Sequence, residues 1–121
     1  MKLYESGEDY LEDILRLQQK TGMVRASNLV EYTGYSKPSI SHAVRNLQKG
    51  GFITRDADGY LHLTVEGRSI AEKIYERHLF FTKLLIGCGV SKDVAEQDAC
   101  RMEHVISEES FQKLKEKLNI L

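Results

Sequence analysis

Helical periodicity runs through almost the whole of this 121-residue chain and is interrupted at one place, between Phe52 and Thr64. Two short β-prone segments, Phe52 to Arg55 and Tyr60 to Thr64, flank the sequence Asp-Ala-Asp-Gly there. Asp-Gly is a strong signal for the tight turn of a β-hairpin. The sequence therefore predicts a mainly α fold that contains one small β-ribbon.

Two helices are predicted at the start of the chain. The first covers about residues 7 to 20 and follows Ser6, which together with Asp9 three residues later resembles a capping box. The second fits Ala26 to Thr33, with Gly34 in the position where many helices end on a left-handed residue. Each carries apolar residues at helical spacing, so each is expected to bury one face.

A third helix is predicted just before the hairpin. Ser36 is a natural N-cap, and Pro38 suits a first turn, where amide donors have no partner within the helix. Apolar residues then follow the i, i+3, i+4, i+7 pattern of a helix with one buried face, at Ile40, Ala43, Val44 and Leu47.

Three further helices are predicted after the hairpin. The helical period returns for about 24 residues from Thr64 and breaks at Gly87. Ser91 is expected to cap a fifth helix, and Ser107 a sixth. The chain is therefore expected to contain six helices and one hairpin.

Composition is that of an ordinary globular protein, with 41% hydrophobic and 29% charged residues. No apolar run approaches the roughly 20 residues that a membrane helix needs, and the N-terminus lacks the apolar stretch of a signal peptide. Two cysteines, Cys88 and Cys100, are too few for a disulfide scaffold, so either could be a buried thiol or a metal ligand. A cytoplasmic protein with no membrane partner is expected.

Charge is distributed unevenly, although the formal net charge is only −1. Residues 34 to 55 include no acid and carry four cations, whereas acids crowd residues 5 to 13 and 93 to 109. The order of elements around this basic segment, with two helices, a capped third helix and a hairpin, is that of a winged helix-turn-helix. We expect this DNA-binding domain to cover residues 1–70 and a helical domain to cover residues 71–121.

The outward face of the third helix carries donors that suit the phosphates and base edges of double-stranded DNA. Such a face is often only solvated surface, but a compact positive footprint on a recognition helix and wing favours nucleic acid. The predicted DNA contacts are Ser36, Lys37, Pro38, Ser39, Ser41, His42, Arg45, Lys49 and Arg55.

Three helices also carry side chains that could bind a metal. These are Asp9 and Glu12 on the first helix, His78 on the fourth, and Cys100, Glu103 and His104 on the fifth. Residues three and four apart share a helix face, so the members of each cluster can point the same way. Oxygen, nitrogen and sulfur donors together suit a first-row divalent metal.

Each cluster also has an ordinary structural interpretation. Asp9 could cap the first helix, and Glu12 could pair with Arg16 at i+4. A histidine on an apolar stripe, such as His78, is often a hydrogen-bonded core residue, and Cys100 could be a small buried hydrophobe. Only the combination Cys-x-x-Glu-His is unusual by itself.

Several motifs combine in a specific pattern that covers essentially the whole chain. They are Asp9-Tyr10-Leu11-Glu12, Ser36-Lys37-Pro38-Ser39-Ile40-Ser41, Leu61-His62-Leu63-Thr64 followed by Gly67, Arg77-His78, and Cys100-Arg101-Met102-Glu103-His104-Val105-Ile106-Ser107. This pattern resembles the family of metal-dependent repressors that includes the diphtheria toxin repressor and the manganese transport regulator.

The resemblance implies a homodimeric winged-helix repressor that binds Fe²⁺ or Mn²⁺ and then binds palindromic operators of metal-homeostasis genes. Its helical domain would carry dimerisation and metal binding. Co²⁺ and Zn²⁺ are also expected to bind in vitro, and no organic small-molecule substrate is implied. By position, the implied metal ligands are Asp9, Glu12, His78, Cys100, Glu103 and His104.

The sequence departs from both branches of that family. Manganese regulators usually have Glu where this chain has Cys100, and iron-responsive members have Met where it has Asp9. Iron-type members also place an acid at the position of Thr82 and a histidine at that of Glu96. These differences argue against a separate ancillary site and favour one metal or two neighbouring metals. With its end at Leu121, the chain is expected to lack the SH3-like domain of longer members.

Two other classes of function share part of this pattern. A metal-independent winged-helix regulator would need only residues 6 to 64, and a metal-buffering protein would need only the ligands. An enzyme is not expected, because no additional base or nucleophile motif accompanies the ligands. The effect of a chelator on DNA binding distinguishes these classes.

Overall fold

The computed structural model describes residue 3 and residues 5–119, and within this range it contains six helices and one two-stranded antiparallel sheet. In chain order the elements are α1 (Glu5–Thr21), α2 (Ala26–Thr33), α3 (Lys37–Lys49), β1 (Ile53–Arg55), β2 (Leu61–Leu63), α4 (Val65–Gly87), α5 (Lys92–Val105) and α6 (Glu108–Leu118). The predicted mainly α fold with one hairpin is confirmed. No helix among the described residues is long and apolar enough to cross a membrane.

The chain divides into two compact units, Met1–Glu72 and Lys73–Leu121, so α4 contributes residues to both. Local signals place the helices of the first unit where the sequence predicts them. The Ser36 hydroxyl accepts a hydrogen bond from the Ser39 amide at 3.3 Å, which satisfies one donor at the start of α3. Gly34 adopts the left-handed conformation after α2, with φ 76°. The buried core of this unit includes Leu11, Ile14, Leu15, Val24, Leu29, Ile40, Val44, Leu47, Phe52, Ile53 and Leu61.

The hairpin forms as the Asp-Gly signal predicts, with β1 and β2 paired antiparallel. The Asp56 side chain closes its turn, because one carboxylate oxygen accepts hydrogen bonds from the amides of Asp58 and Tyr60, both at 2.9 Å. A further hydrogen bond of 2.7 Å runs from the Leu61 amide to the Val24 carbonyl. The hairpin is thereby fixed to the segment that precedes α2.

Gly67 marks a close approach between the first turn of α4 and the chain that enters β1. The Thr64 hydroxyl accepts a hydrogen bond from the Gly67 amide at 3.1 Å and lies 2.8 Å from the Gly51 carbonyl. A β-carbon at position 67 would collide with the backbone carbonyl of Phe52. Backbone cannot rotate away as a side chain does, so this position requires glycine.

Replacing Gly67 with Ala should lower the free energy of unfolding by about 1–3 kcal/mol, the usual range for overpacking. That loss should outweigh the gain of roughly 1 kcal/mol that alanine brings to a helix interior. Urea denaturation measures the difference, and Ser69→Ala, at an exposed position of the same helix, is the control. A Gly67→Ala variant as stable as the wild type would show that the start of α4 can move away from Phe52.

An aromatic cluster forms the core of the second unit. Phe80, Phe81 and Phe111 are buried, and the Phe80 ring meets the other two nearly edge-on, with centroids 5.3 Å and 5.4 Å apart. Ala99 completes the buried set, so α4, α5 and α6 all contribute to it. This core fixes which faces of the three helices meet.

One predicted cap is wrong, and a second lies at its predicted position without the expected hydrogen bond. α1 already begins at Glu5, so Ser6 lies inside the helix and is not its N-cap. The acidic first turn favours this earlier start, because carboxylates stabilise a helix N-terminus. Ser91 stands at the N-cap position of α5, but its side chain makes no capping hydrogen bond. Ser107 does cap α6 as predicted, accepting a hydrogen bond from the Ser110 amide at 3.1 Å.

Candidate nucleic-acid interface and metal centre

α3 presents a polar face to solvent. Its apolar residues Ile40, Val44 and Leu47 are buried. The residues that the sequence predicts for DNA contact are all exposed, on α3 and its cap at Ser36, Lys37, Pro38, Ser39, Ser41, His42, Arg45 and Lys49, and on β1 at Arg55. Hydroxyl, imidazole, ammonium and guanidinium groups on one helix and the neighbouring strand can donate to phosphates and base edges.

The cations of this surface are not neutralised by the protein itself. Within residue 3 and residues 5–119, none of Lys37, Arg45, Lys49 and Arg55 forms an ion pair with an acid. Arg68, by comparison, has the Glu72 carboxylate 3.6 Å away. A cluster of unneutralised cations attracts the phosphate backbone and displaces its counterions. The surface therefore has the electrostatics of a nucleic-acid interface.

Arg25 extends this surface, although no sequence pattern singled it out. Its guanidinium lies 4.3 Å from the centroid of the Tyr60 ring, and the two residues also form a β-bridge. With Lys37 and Arg55 it lines a groove of about 410 Å³ formed by residues of α2, α3 and the hairpin. The charge pattern indicates Arg25 when the basic segment is extended toward the N-terminus, because residues 14 to 55 include a single acid, Glu31.

Glu103 is the centre of a cluster of metal-ligand side chains in the second unit. Its carboxylate is fully buried between two imidazoles, with Oε2 3.0 Å from His78 Nδ1 and Oε1 3.4 Å from His104 Nε2. Cys100 Sγ lies 3.8 Å from His78 Nδ1. Donor atoms of His78, Cys100 and Glu103 all lie within 4.8 Å of one another. The second unit thus brings together four of the six predicted ligands.

Helix geometry explains this cluster. Cys100, Glu103 and His104 share one face of α5 because they are spaced i, i+3, i+4. His78 comes from α4, one turn before the buried Phe81. The interpretation of Cys100 as a buried hydrophobe is wrong, since the residue is exposed in this chain.

The donor set fits a first-row divalent ion. It combines carboxylate oxygen, imidazole nitrogen and thiol sulfur, which suit iron, cobalt, zinc and, through the oxygen, manganese. A buried carboxylate such as Glu103 is unfavourable unless it is paired with positive charge or hydrogen-bonded. A bound divalent ion would supply that charge.

Asp9 and Glu12, the two other predicted ligands, lie in α1 of the first unit. Glu12 is 3% exposed, and its Oε2 lies 3.7 Å from Arg16 Nη1, which confirms the i, i+4 pair expected as the ordinary interpretation. The pKa of Asp13 is raised to about 7, first by burial and then by the carboxylates of Glu12 and Asp9, against the lowering effect of Arg16. This part of α1 therefore concentrates negative charge that a cation would offset.

A winged-helix DNA-binding unit followed by a helical unit with clustered metal ligands defines a class of metal-dependent regulators. Residues 2–63 match the iron dependent repressor N-terminal DNA binding domain, and residues 64–121 match the iron dependent repressor metal binding and dimerisation domain. The chain belongs to this family of transcriptional repressors.

Individual relatives include a transcriptional regulator and a repressor. The chain is 33% identical over 104 residues to the transcriptional regulator MntR of Escherichia coli O6:H1, a match that covers 86% of this chain and 67% of that protein. It is 31% identical over 120 residues to the diphtheria toxin repressor of Corynebacterium glutamicum, covering 97% of this chain and 52% of the relative.

Solved structures share the fold. A manganese-dependent transcriptional repressor in complex with manganese is 26% identical, with a TM-score of 0.84 over 95% of this chain and 53% of that one. The chain thus spans about two thirds of the length of MntR, and about half the length of the other two proteins.

Proposed function

We propose that this chain is a metal-responsive transcriptional repressor, activated by Fe²⁺ or Mn²⁺ to bind palindromic operators of metal-homeostasis genes. The observation that carries the proposal is the fully buried Glu103 carboxylate between the imidazoles of His78 and His104. The other unit of the same chain presents an unneutralised cationic helix. The proposed role is binding rather than catalysis, and it would be exercised in the cytoplasm.

The proposed ligand set comprises Asp9, Glu12, His78, Cys100, Glu103 and His104. The distances within the second unit support the last four. Family membership and the i, i+3 spacing on α1 support the carboxylates of Asp9 and Glu12. Glu103 would contribute anionic oxygen, the two histidines neutral nitrogen, and Cys100 a thiolate. One metal or two neighbouring metals are compatible with this set, and Glu96, which is exposed on α5, is not required by it.

The proposed DNA face combines residues that contact phosphates and position the protein with residues that contact bases and recognise the sequence. Lys37, Arg45, Lys49 and Arg55 suit phosphate contacts because they are exposed cations, whereas Ser39, Ser41 and His42 occupy the first turns of α3, where base edges are usually reached. Ser36 and Pro38 shape the start of this helix. In a homodimer built through residues 71–121, two copies of α3 would enter successive major grooves about 34 Å apart.

Coupling between metal and DNA follows from the proposed ligands. Asp9 and Glu12 belong to α1 of the DNA-binding unit, so their ligation would make the conformation of that unit depend on metal. Without metal, the neighbouring carboxylates of Asp9 and Glu12 on α1 would repel one another. Such coupling is typically about 1–3 kcal/mol, or roughly 5–150-fold in affinity, and linkage requires DNA to tighten metal binding by the same factor.

A mobility shift assay tests this function with a duplex selected from a random-sequence library. DNA affinity is measured in EDTA and again with Mn²⁺, Fe²⁺, Co²⁺ or Zn²⁺, and we expect it to rise by roughly 5–150-fold with an activating metal. Equal affinity in EDTA and in metal would favour a metal-independent regulator. Metal binding without salt-dependent DNA binding would favour a metal-buffering protein.

Replacing Lys49 with Ala should weaken binding to all DNA sequences alike. An exposed lysine at the end of α3 is suited to a phosphate, which carries no sequence information, so one counterion fewer should be released. The slope of log affinity against log salt should therefore become shallower by about one unit. Loss of affinity for the selected duplex alone, at an unchanged salt slope, would assign Lys49 to a base edge.

A further inference from the structure

Arg77 occupies an unusual place for a charged residue. It directly precedes His78 in α4, is 6% exposed, and belongs neither to the proposed ligands nor to the DNA face. Its Nη1 donates to the backbone carbonyls of Ile106 at 2.7 Å and Glu103 at 3.3 Å, and its Nη2 donates to Oε2 of Glu108 at 2.9 Å. One guanidinium therefore joins α4, the last turn of α5 and the first turn of α6.

The end of α5 explains why an arginine suits this place. Carbonyls in the last turn of a helix have no amide partner in that helix, and a buried carbonyl left without a partner destabilises the fold. α5 ends at Val105, and Ile106 leaves the helix with extended backbone, φ −84° and ψ 140°. The guanidinium offers a rigid fork of donors and a positive charge, and both suit carbonyls at the negative end of a helix dipole.

The aromatic core of the second unit also contacts Arg77. Its guanidinium carbon lies 5.3 Å from the centroid of the buried Phe111 ring, which belongs to the aromatic core of the unit. A side chain fixed by the core, by two carbonyls and by Glu108 has little freedom to move. The groups that it contacts are constrained in turn.

The turn that Arg77 holds is the turn that carries two proposed ligands, Glu103 and His104. Arg77 is also the chain neighbour of a third ligand, His78, and adjacent α-carbons lie a fixed distance of about 3.8 Å apart. The guanidinium thus constrains how the last turn of α5 is rotated toward α4. That rotation decides the separation between His78 Nδ1 and Glu103 Oε2, which is 3.0 Å.

We propose that Arg77 is a positioning residue for the metal centre, which orients the side chains of Glu103 and His104 toward His78 by holding the carbonyls of Glu103 and Ile106. This inference rests on the proposed function, since it assumes that these side chains bind metal. Groups that hold ligands in place typically account for about 10–100-fold in metal affinity. An arginine with a purely structural role would change the stability of the fold and leave the affinity of the folded chain unchanged.

The test uses two variants of the full chain. Arg77→Lys keeps the charge but loses the fork of donors, and Arg77→Gln keeps one amide donor but loses the charge. The matched control is Lys73→Gln, which removes an exposed cation 3.6 Å from the same Glu108 carboxylate. Among the described residues, Lys73 bonds to no carbonyl of α5, so this control spares the interaction under test.

Folding is established by circular dichroism and thermal unfolding in EDTA. Co²⁺ affinity is then measured by competition with a chelating dye, at a temperature where each variant is folded, and the Co²⁺ absorption spectrum reports on ligand geometry. If a variant unfolds in dilute buffer, trimethylamine N-oxide, which favours compact states, is added to all samples. Stability and affinity are thereby obtained separately.

We expect both Arg77 variants to bind Co²⁺ about 10–100-fold more weakly than the wild type, with altered visible bands, and Lys73→Gln to match the wild type. Equal Co²⁺ affinity and spectra in the wild type and the folded Arg77 variants would overturn the positioning role and leave metal binding intact. Failure of the wild type to bind Co²⁺ would instead overturn the proposed function, and the role of Arg77 with it.

Discussion

Replacing Glu103 with Gln should reduce metal affinity by about 100-fold, the upper end of the range for groups that support a ligand, and abolish the response of DNA binding to metal, while the chain stays folded. Glu103 is fully buried, and its two oxygens lie 3.0 Å and 3.4 Å from the ring nitrogens of His78 and His104. Glutamine is nearly isosteric but neutral, so the cluster would lose its central anion and keep its packing. Isothermal titration calorimetry with Mn²⁺ and Co²⁺ measures the affinity, and circular dichroism in EDTA verifies the fold.

The matched control is Glu116→Gln, which removes the same charge from an exposed side chain of the same unit. Glu116 is 69% exposed and lies 3.9 Å from Lys113, a surface pair of the kind that contributes little to stability. This variant should bind metal as the wild type does. If Glu103→Gln also did so, Glu103 would be only a hydrogen-bond partner of His78 with His104 close by, and the proposed centre would lose its basis.

Local signals predicted most of the fold because each of them acts within a few residues. The left-handed conformation of Gly34, the Ser36 cap and the Asp56 turn are set by neighbouring dihedral angles and short side-chain hydrogen bonds. The start of α1 could not be predicted in the same way. Ser6 satisfies the capping pattern, yet the helix includes it, because more than one residue near a helix end can serve as its boundary.

The spacing of the candidate metal ligands along each helix could be predicted from the sequence, but the burial of their side chains could not. The i, i+3 relation of Cys100 and Glu103 follows from helix geometry, but the exposure of Cys100 and the burial of Glu103 depend on what packs against the helix. His78, which meets both, lies 22 positions before Cys100 in the chain. Periodicity assigns a residue to a helix face and carries no information about what covers that face.

The contacts of Arg25 and Arg77 could not be predicted, because their partners are distant in sequence. Arg25 stacks on Tyr60 of the hairpin, and Arg77 donates to a carbonyl 29 positions later, that of Ile106. A backbone carbonyl carries no sequence signature. The sequence therefore cannot distinguish an arginine that donates to a distant carbonyl from any other arginine in a helix. Such roles appear only when the helices are packed.

Cys100→Ser should remove the sulfur-to-metal charge-transfer band from the ultraviolet spectrum of the Co²⁺-loaded chain and lower Co²⁺ affinity about 10–100-fold. Cys100 Sγ lies 3.8 Å from His78 Nδ1, and the residue is exposed, so a metal ion can reach the sulfur. Thiolate is softer than carboxylate and favours Fe²⁺, Co²⁺ and Zn²⁺ over Mn²⁺. Cys100→Glu should therefore lose the same band and shift the activation of DNA binding toward Mn²⁺.

The other cysteine provides the control for this experiment. Cys88 is exposed in the turn after α4, and Cys88→Ser should keep both the band and the affinity. An unchanged spectrum and metal ranking in Cys100→Ser would exclude sulfur from the site. The remaining donors would then be two imidazoles and the carboxylates of Asp9, Glu12 and Glu103, a harder set that suits Mn²⁺. If sulfur binds, we expect the proposed carboxylates still to admit Mn²⁺ when it is abundant and the softer thiolate to shift the preference toward iron.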